Sequence, residues 1–91
     1  MSEVSATITV QHVSGMHARA STKFVEVAQQ FKSAVHVSRD GIHEVDGKSI
    51  LGCLTLGVEI GHQIHIRVSG PDAEGCLSAL IDLVERNFDG A

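Results

Sequence analysis

The spacing of apolar residues changes repeatedly along this chain, and that change constrains the fold more than any other feature. Four segments alternate apolar with polar residues, a period of two that predicts strands with one buried face. Three segments carry apolar residues at helical spacing or in a compact run, which predicts helices. The predicted order is βαββαβα, with strands near 4–10, 35–38, 42–45 and 64–68 and helices near 18–31, 50–56 and 73–88.

The alternation within the strands also predicts how the layers pack. A strand with one polar face is half exposed to solvent, so we expect a mostly antiparallel sheet. Each helix has one apolar stripe, and the helices should cover the same face of the sheet. The sequence therefore predicts an α+β fold, a two-layer open-faced sandwich with a four-stranded antiparallel sheet and three helices on one face. Asp72 is expected to cap the last helix with its side chain.

Length and composition restrict the classes of function. Ninety-one residues allow one domain, spanning 1–91, and 43% apolar residues suit a folded chain. Seven Lys and Arg against eleven Asp and Glu give a net charge of −4, which argues against nucleic-acid binding because phosphate backbones bind basic faces. No segment is apolar enough to insert in a membrane, and the start lacks the basic and apolar stretches of a secretory signal. We therefore expect a reducing, cytoplasmic location.

The residue types that most often carry catalysis or bind metals form few useful patterns. Cys53 and Cys76 lie in apolar contexts and are expected to be core residues. The six histidines show no recognised ligand spacing, so we expect no metal and no cofactor. His12 follows the first strand, where it either helps to shape a site or, the favoured interpretation, is a solvated loop residue. No carboxylate pair or nucleophile–base pair favours a free-standing enzyme.

The start of the first predicted helix departs from the usual helix chemistry. Acidic residues favour a helix N-terminus because its free N–H groups are positive, yet here the first acidic residue is Glu26. His17 and Arg19 stand at the start instead, after the flexible Gly15. This arrangement is typical of an anion site formed by the backbone N–H groups of Ala18 and Arg19 and the Arg19 side chain. His17 is then either a nucleophile that accepts a phosphoryl group or only a helix cap beside a solvated Arg19.

Two separate motifs resemble one family. Residues 15–21, GMHARAS, are similar to the active-site motif of the HPr family, the histidine phosphocarriers of the bacterial phosphotransferase system. Residues 47–52, GKSILG, resemble the regulatory-serine segment of the same family. The βαββαβα order is also that family's fold, and the resemblance covers nearly the whole chain.

The resemblance implies a phosphocarrier with no cofactor, a component of a transfer system rather than a free-standing enzyme. His17 would accept a phosphoryl group on its Nδ1 (a pros-phosphohistidine) from enzyme I, which takes it from phosphoenolpyruvate. Arg19 would contact the phosphate, and His17 would pass it to an EIIA-type acceptor domain. The family inference also gives a monomer. Ala20 stands where the family usually has Pro. Because alanine does not fix φ as proline does, the rate of phosphoryl transfer could differ from that of the family. Ala20 also adds a backbone N–H that could reach an anion. The resemblance then slightly favours nitrogen-branch regulation over sugar transport.

The second motif carries two further expectations. Ser49 is expected to cap the second helix, and the resemblance adds its phosphorylation by an HPr kinase, which would change partner choice. Because the run 50–56 is apolar on too many sides, we expect Leu51 and Leu54 to be partly exposed. With Met16 they would form a partner-binding surface beside His17, and packing in the core is the alternative. The rival function is a regulatory docking module of the same fold that binds partners without phosphoryl transfer.

Overall fold

The computed structural model describes residues 2–91, and its strands and helices follow one another in the predicted order; Met1 of the predicted 1–91 domain lies outside it. The sheet order is β1-β4-β2-β3, with every neighbouring pair antiparallel. The prediction of an α+β open-faced sandwich is confirmed. The strands are β1 (Ser2–Thr9), β2 (Ala34–Arg39), β3 (Val45–Asp46) and β4 (Gln63–Gly70), and the helices are α1 (Ala18–Ala28), α2 (Ile50–Thr55) and α3 (Ala73–Glu85), followed by a short turn, α4 (Asn87–Gly90).

The core lies between the sheet and the helices. β4 is central, pairing along its whole length with β1 and along much of it with β2. Its alternate residues Ile64, Ile66 and Val68 are fully buried, as their period-two spacing requires. Helix α3 packs on β1 and β4, and α1 packs on both α2 and α3. This packing places α1 and α2 next to each other in the helical layer.

Three predicted element boundaries are wrong. Helix α1 ends at Ala28, so Phe31 lies beyond the helix in which it was predicted. The third strand covers only Val45–Asp46. Asp40 and Gly41 before it take positive φ angles, which are not those of a strand. Glu44 forms a bidentate ion pair with Arg67 of β4 from the loop before β3. Helix α3 ends at Glu85, since the backbone turns left-handed beyond it. Phe88 therefore lies outside the predicted helix, with φ 55° and ψ 40°, although it is fully buried.

Asp72 precedes α3 as predicted, but its side chain makes no cap hydrogen bond to that helix. The carboxylate instead accepts hydrogen bonds from the Lys32 N–H, the Ser33 N–H and the Ser33 hydroxyl, at 2.9, 2.9 and 2.6 Å. These bonds, with the Ser33 hydroxyl contributing most, hold the pKa of Asp72 at about 2. The residue thus joins the start of α3 to the segment that leads into β2.

Both cysteines are free, fully buried core residues, as predicted. Burial, with a smaller contribution from the charge of Asp46, raises the pKa of the Cys53 thiol to about 11. Burial also raises the pKa of Cys76. Across residues 2–91, no helix combines the length and the apolar character that crossing a membrane requires.

Candidate functional site

His17 is the N-cap residue of α1, and its ring is aimed at the start of the helix. Its Nδ1 accepts hydrogen bonds from the backbone N–H groups of Arg19 and Ala20, at 3.0 and 3.4 Å. A ring nitrogen that accepts such bonds carries a free lone pair, so the neutral ring has its proton on Nε2. Nε2 lies 3.3 Å from the carbonyl oxygen of Ala91 and donates to it. The unprotonated nitrogen, Nδ1, therefore faces the positive end of the helix.

The loop before His17 is held by a close backbone approach. Gly15 has a φ of +60°, and a Cβ at this position would lie only 2.1 Å from the Val58 carbonyl oxygen. That same oxygen accepts a hydrogen bond from the Met16 N–H at 3.0 Å. The buried Ser21 hydroxyl donates to the Met16 carbonyl at 2.9 Å. Glycine is required at position 15 because no side chain fits there and the φ is left-handed.

Positive character at the helix start is left without a neutralising partner. The first turn of α1 contains no acidic residue. Arg19 is exposed, and its guanidinium forms no ion pair with any residue in the range 2–91. Together with Ala18, Thr22, Lys23, Glu26 and Ala91 it lines a shallow groove along α1. The arrangement is suited to an anion held by backbone N–H groups and one mobile guanidinium.

Ser49 and the apolar residues of α2 lie on the helix that packs against α1. The Ser49 hydroxyl accepts a hydrogen bond from the Gly52 N–H at 3.0 Å, which confirms the predicted cap. Leu51 is 75% exposed and Leu54 is 37% exposed, so their predicted exposure is also confirmed. The predicted exposure of Met16 is wrong: the side chain is 3% exposed, because the loop that holds its backbone against Val58 turns it into the core.

Two residues near His17 were not identified as site residues from the sequence. His12 is only 9% exposed, and its ring centroid lies 5.3 Å from that of His17, so the favoured interpretation of a solvated loop residue is wrong. Ala91 reaches the His17 ring although 74 positions separate the two residues. Periodicity gives no signal for such a contact. It depends on the left-handed turn that follows α3 and directs the end of the described chain back to the site.

Comparisons with known proteins lead to one family. Residues 4–86 match the sequence model of a family described as "PTS HPr component phosphorylation site". The chain is 38% identical over 82 residues to the phosphocarrier protein HPr of Pseudomonas aeruginosa, covering 90% of this chain and 91% of that one. It is 42% identical over 74 residues to the phosphocarrier protein HPr of Neisseria meningitidis, covering 81% and 82% of the two chains. A crystal structure of HPr-C-His from Thermoanaerobacter tengcongensis superposes with a TM-score of 0.87 and 38% identity, covering 98% of this chain and 97% of that chain.

Proposed function

The chain belongs to the HPr family of the phosphotransferase system, and from this premise we propose that it carries a phosphoryl group on Nδ1 of His17. The donor is phosphorylated enzyme I, and the recipient is an EIIA-type acceptor domain. One observation carries the proposal. Nδ1 is the unprotonated ring nitrogen, and its lone pair accepts hydrogen bonds from the backbone N–H groups of Arg19 and Ala20. The same N–H groups are suited to bind the oxygens of an arriving phosphoryl group.

The transfer step follows from the tautomer of the ring. The Nδ1 lone pair forms the new N–P bond while the bond between phosphorus and the donor breaks, so the electron pair of that bond leaves with the donor. The phosphoryl oxygens then take over the N–H donors of Arg19 and Ala20. The proton on Nε2 stays directed at the Ala91 carbonyl oxygen, 3.3 Å away. Transfer to the acceptor reverses these steps with a new nucleophile.

Arg19 is proposed to neutralise the phosphoryl charge. Its guanidinium is free of ion pairs among the described residues and is exposed at the first turn of α1. A guanidinium can offer two parallel N–H donors to a phosphoryl group, a geometry that lysine cannot reproduce. Its exposure also leaves the side chain free to move between the phosphoryl group and a partner's surface.

Docking is proposed to use Leu51 and Leu54, which we call the α2 patch. Large exposed apolar side chains on the helix that packs against α1 are suited to bury against a partner. Phosphorylation of the nearby Ser49 by an HPr kinase would add a charge of about −2 next to this patch and weaken docking to an acidic partner surface. The carrier is proposed to act as a cytoplasmic monomer.

The experiment that tests the proposal is phosphoryl transfer from phosphoenolpyruvate through purified enzyme I, followed by intact mass. Wild type, His17→Ala and Ser49→Ala are compared, with enzyme I from the sugar branch and from the nitrogen branch. We expect an acid-labile gain of one phosphate in wild type and Ser49→Ala and none in His17→Ala. The faster enzyme I indicates the branch. No gain with either donor would contradict the proposal and favour a regulatory docking module of the same fold.

A further inference from the structure

His12 is a second histidine built into the wall of the site. Its Nδ1 accepts a hydrogen bond from the Ser14 N–H at 3.1 Å, and its backbone carbonyl accepts one from the Gly15 N–H at 2.9 Å. The ring packs edge-to-face against His17, at 5.3 Å between centroids, and against the fully buried Phe88, at 6.0 Å. Both interplanar angles are 71°. The ring of His12 therefore contacts both the reactive histidine and a residue of the core.

We propose that His12 is a positioning residue for phosphoryl transfer, holding the plane of the His17 ring while its Nδ1 reacts. This inference rests on the proposed function of His17. Before the reaction, Nδ1 is tied to α1 by the N–H groups of Arg19 and Ala20. These bonds end when Nδ1 bonds to phosphorus, because its lone pair is then used and the N–H groups turn to the phosphoryl oxygens.

The remaining restraints on the ring at that moment are few. The described structure gives one hydrogen bond on Nε2, to Ala91, and the contact with His12. Ala91 lies beyond a short turn, whereas His12 is locked by two hydrogen bonds within its own loop and by the buried Phe88. The more rigid restraint is thus the aromatic one. A misdirected nucleophile loses rate even when binding is unchanged, since reaction requires near-attack geometry.

Three substitutions at His12 separate ring packing from loop structure. His12→Ala removes both the ring and the Nδ1 acceptor. His12→Asn keeps an acceptor for the Ser14 N–H, as in an Asx turn, but removes the ring. His12→Phe keeps the ring, and the N–H of the exposed Ser14 can bind water instead. His65→Ala is the control, because the Nδ1 of His65 lies 2.9 Å from the Thr7 hydroxyl oxygen between two strands, and its ring has no contact with that of His17 in the described structure.

The measurement is the rate of phosphoryl transfer from phosphorylated enzyme I, with this protein varied as the substrate. We expect the maximal rate to fall about tenfold in His12→Ala and His12→Asn with KM within about twofold of wild type. We expect His12→Phe to recover to within about threefold, and His65→Ala to match wild type. Nitrogen-15 shifts of the unphosphorylated His17 ring should show the wild-type tautomer in every His12 variant, because the Arg19 and Ala20 N–H groups still bind Nδ1 before the reaction.

Thermal unfolding of each variant separates this role from a merely structural one. A wild-type rate in His12→Asn, or no recovery in His12→Phe at unchanged Tm, would overturn the inference while leaving His17 as the acceptor. If His12→Ala is too unstable to assay, the comparison of His12→Asn with His12→Phe decides the question. Failure of wild type to take phosphate would instead overturn the proposed function, and a mixed tautomer in unphosphorylated His12→Asn would show that His12 acts before the reaction and would overturn the inference as stated.

Discussion

Replacing Leu51 with alanine should weaken docking to enzyme I and leave folding almost unchanged. Full burial of a leucine side chain stabilises by about 1.5–3 kcal/mol. Because Leu51 is 75% exposed in the free protein, a partner that covers it gains about 1–2 kcal/mol, or about 5- to 30-fold in Kd. Because only about a quarter of the Leu51 side chain is buried in the free protein, its removal should lower the free energy of unfolding by less than about 1 kcal/mol. Calorimetric titration with enzyme I and thermal unfolding measure the two effects separately.

Two controls bracket this prediction. Ile42→Ala removes an apolar side chain that is 51% exposed in the loop between β2 and β3, which borders the open face of the sheet, and should change neither quantity. Leu80→Ala empties a fully buried position and should reduce stability by about 2–5 kcal/mol, lowering Tm by about 8 °C or more. An unchanged Kd for Leu51→Ala would refute the reasoning about the α2 patch. A fall in Tm comparable with that of Leu80→Ala would refute its placement on the surface.

Three further predictions follow from individual contacts. Gly15→Ala places a Cβ 2.1 Å from the Val58 carbonyl oxygen at a φ of +60°, so we expect it to lower the free energy of unfolding by more than about 1 kcal/mol in urea titrations; equal stability would contradict the assigned loop geometry. The pKa of Asp72 is lowered to about 2 from an ordinary 3.8, so its stabilising contribution is complete above about pH 5 and is lost as the pH falls through 2. The free energy of unfolding, measured at several pH values, should show this loss in wild type and depend less on pH in Asp72→Asn. Cys53, whose burial raises its pKa to about 11, should resist iodoacetamide at pH 8 until the protein unfolds, as measured by mass; rapid native labelling would contradict its place in the core.

The fold was predictable because the strands and helices bury one face each. Alternation over Ile64, Ile66 and Val68 marks residues that are all fully buried in β4. The predicted bounds of helices and strands were wrong where a tertiary contact determines the local structure. Glu44 pairs with Arg67 from a loop rather than from a strand, and Phe88 reaches the core through left-handed backbone angles that its apolar character does not reveal.

The candidate site was predictable in part for the same physical reasons. His17 and Arg19 were identifiable because they replace the acidic residues expected at a helix start, and the Ser49 cap followed from residue type. The burial of Met16 could not be predicted from the sequence, because an apolar residue next to an exposed loop can lie either on the surface or in the core. The contact of His12 with His17 depends on how a four-residue turn closes, and spacing along the chain gives no measure of that distance.

The most direct test of the account is to identify which atom carries the phosphate. The protein is labelled with nitrogen-15, phosphorylated through enzyme I and phosphoenolpyruvate, and examined by correlated proton–nitrogen NMR with phosphorus coupling. We expect a single phosphohistidine at His17 with phosphorus coupled to Nδ1, while Nε2 keeps its proton and its bond toward Ala91. Coupling to Nε2, or phosphate on any other residue, would contradict the assignment of Nδ1 as the nucleophile at the start of α1.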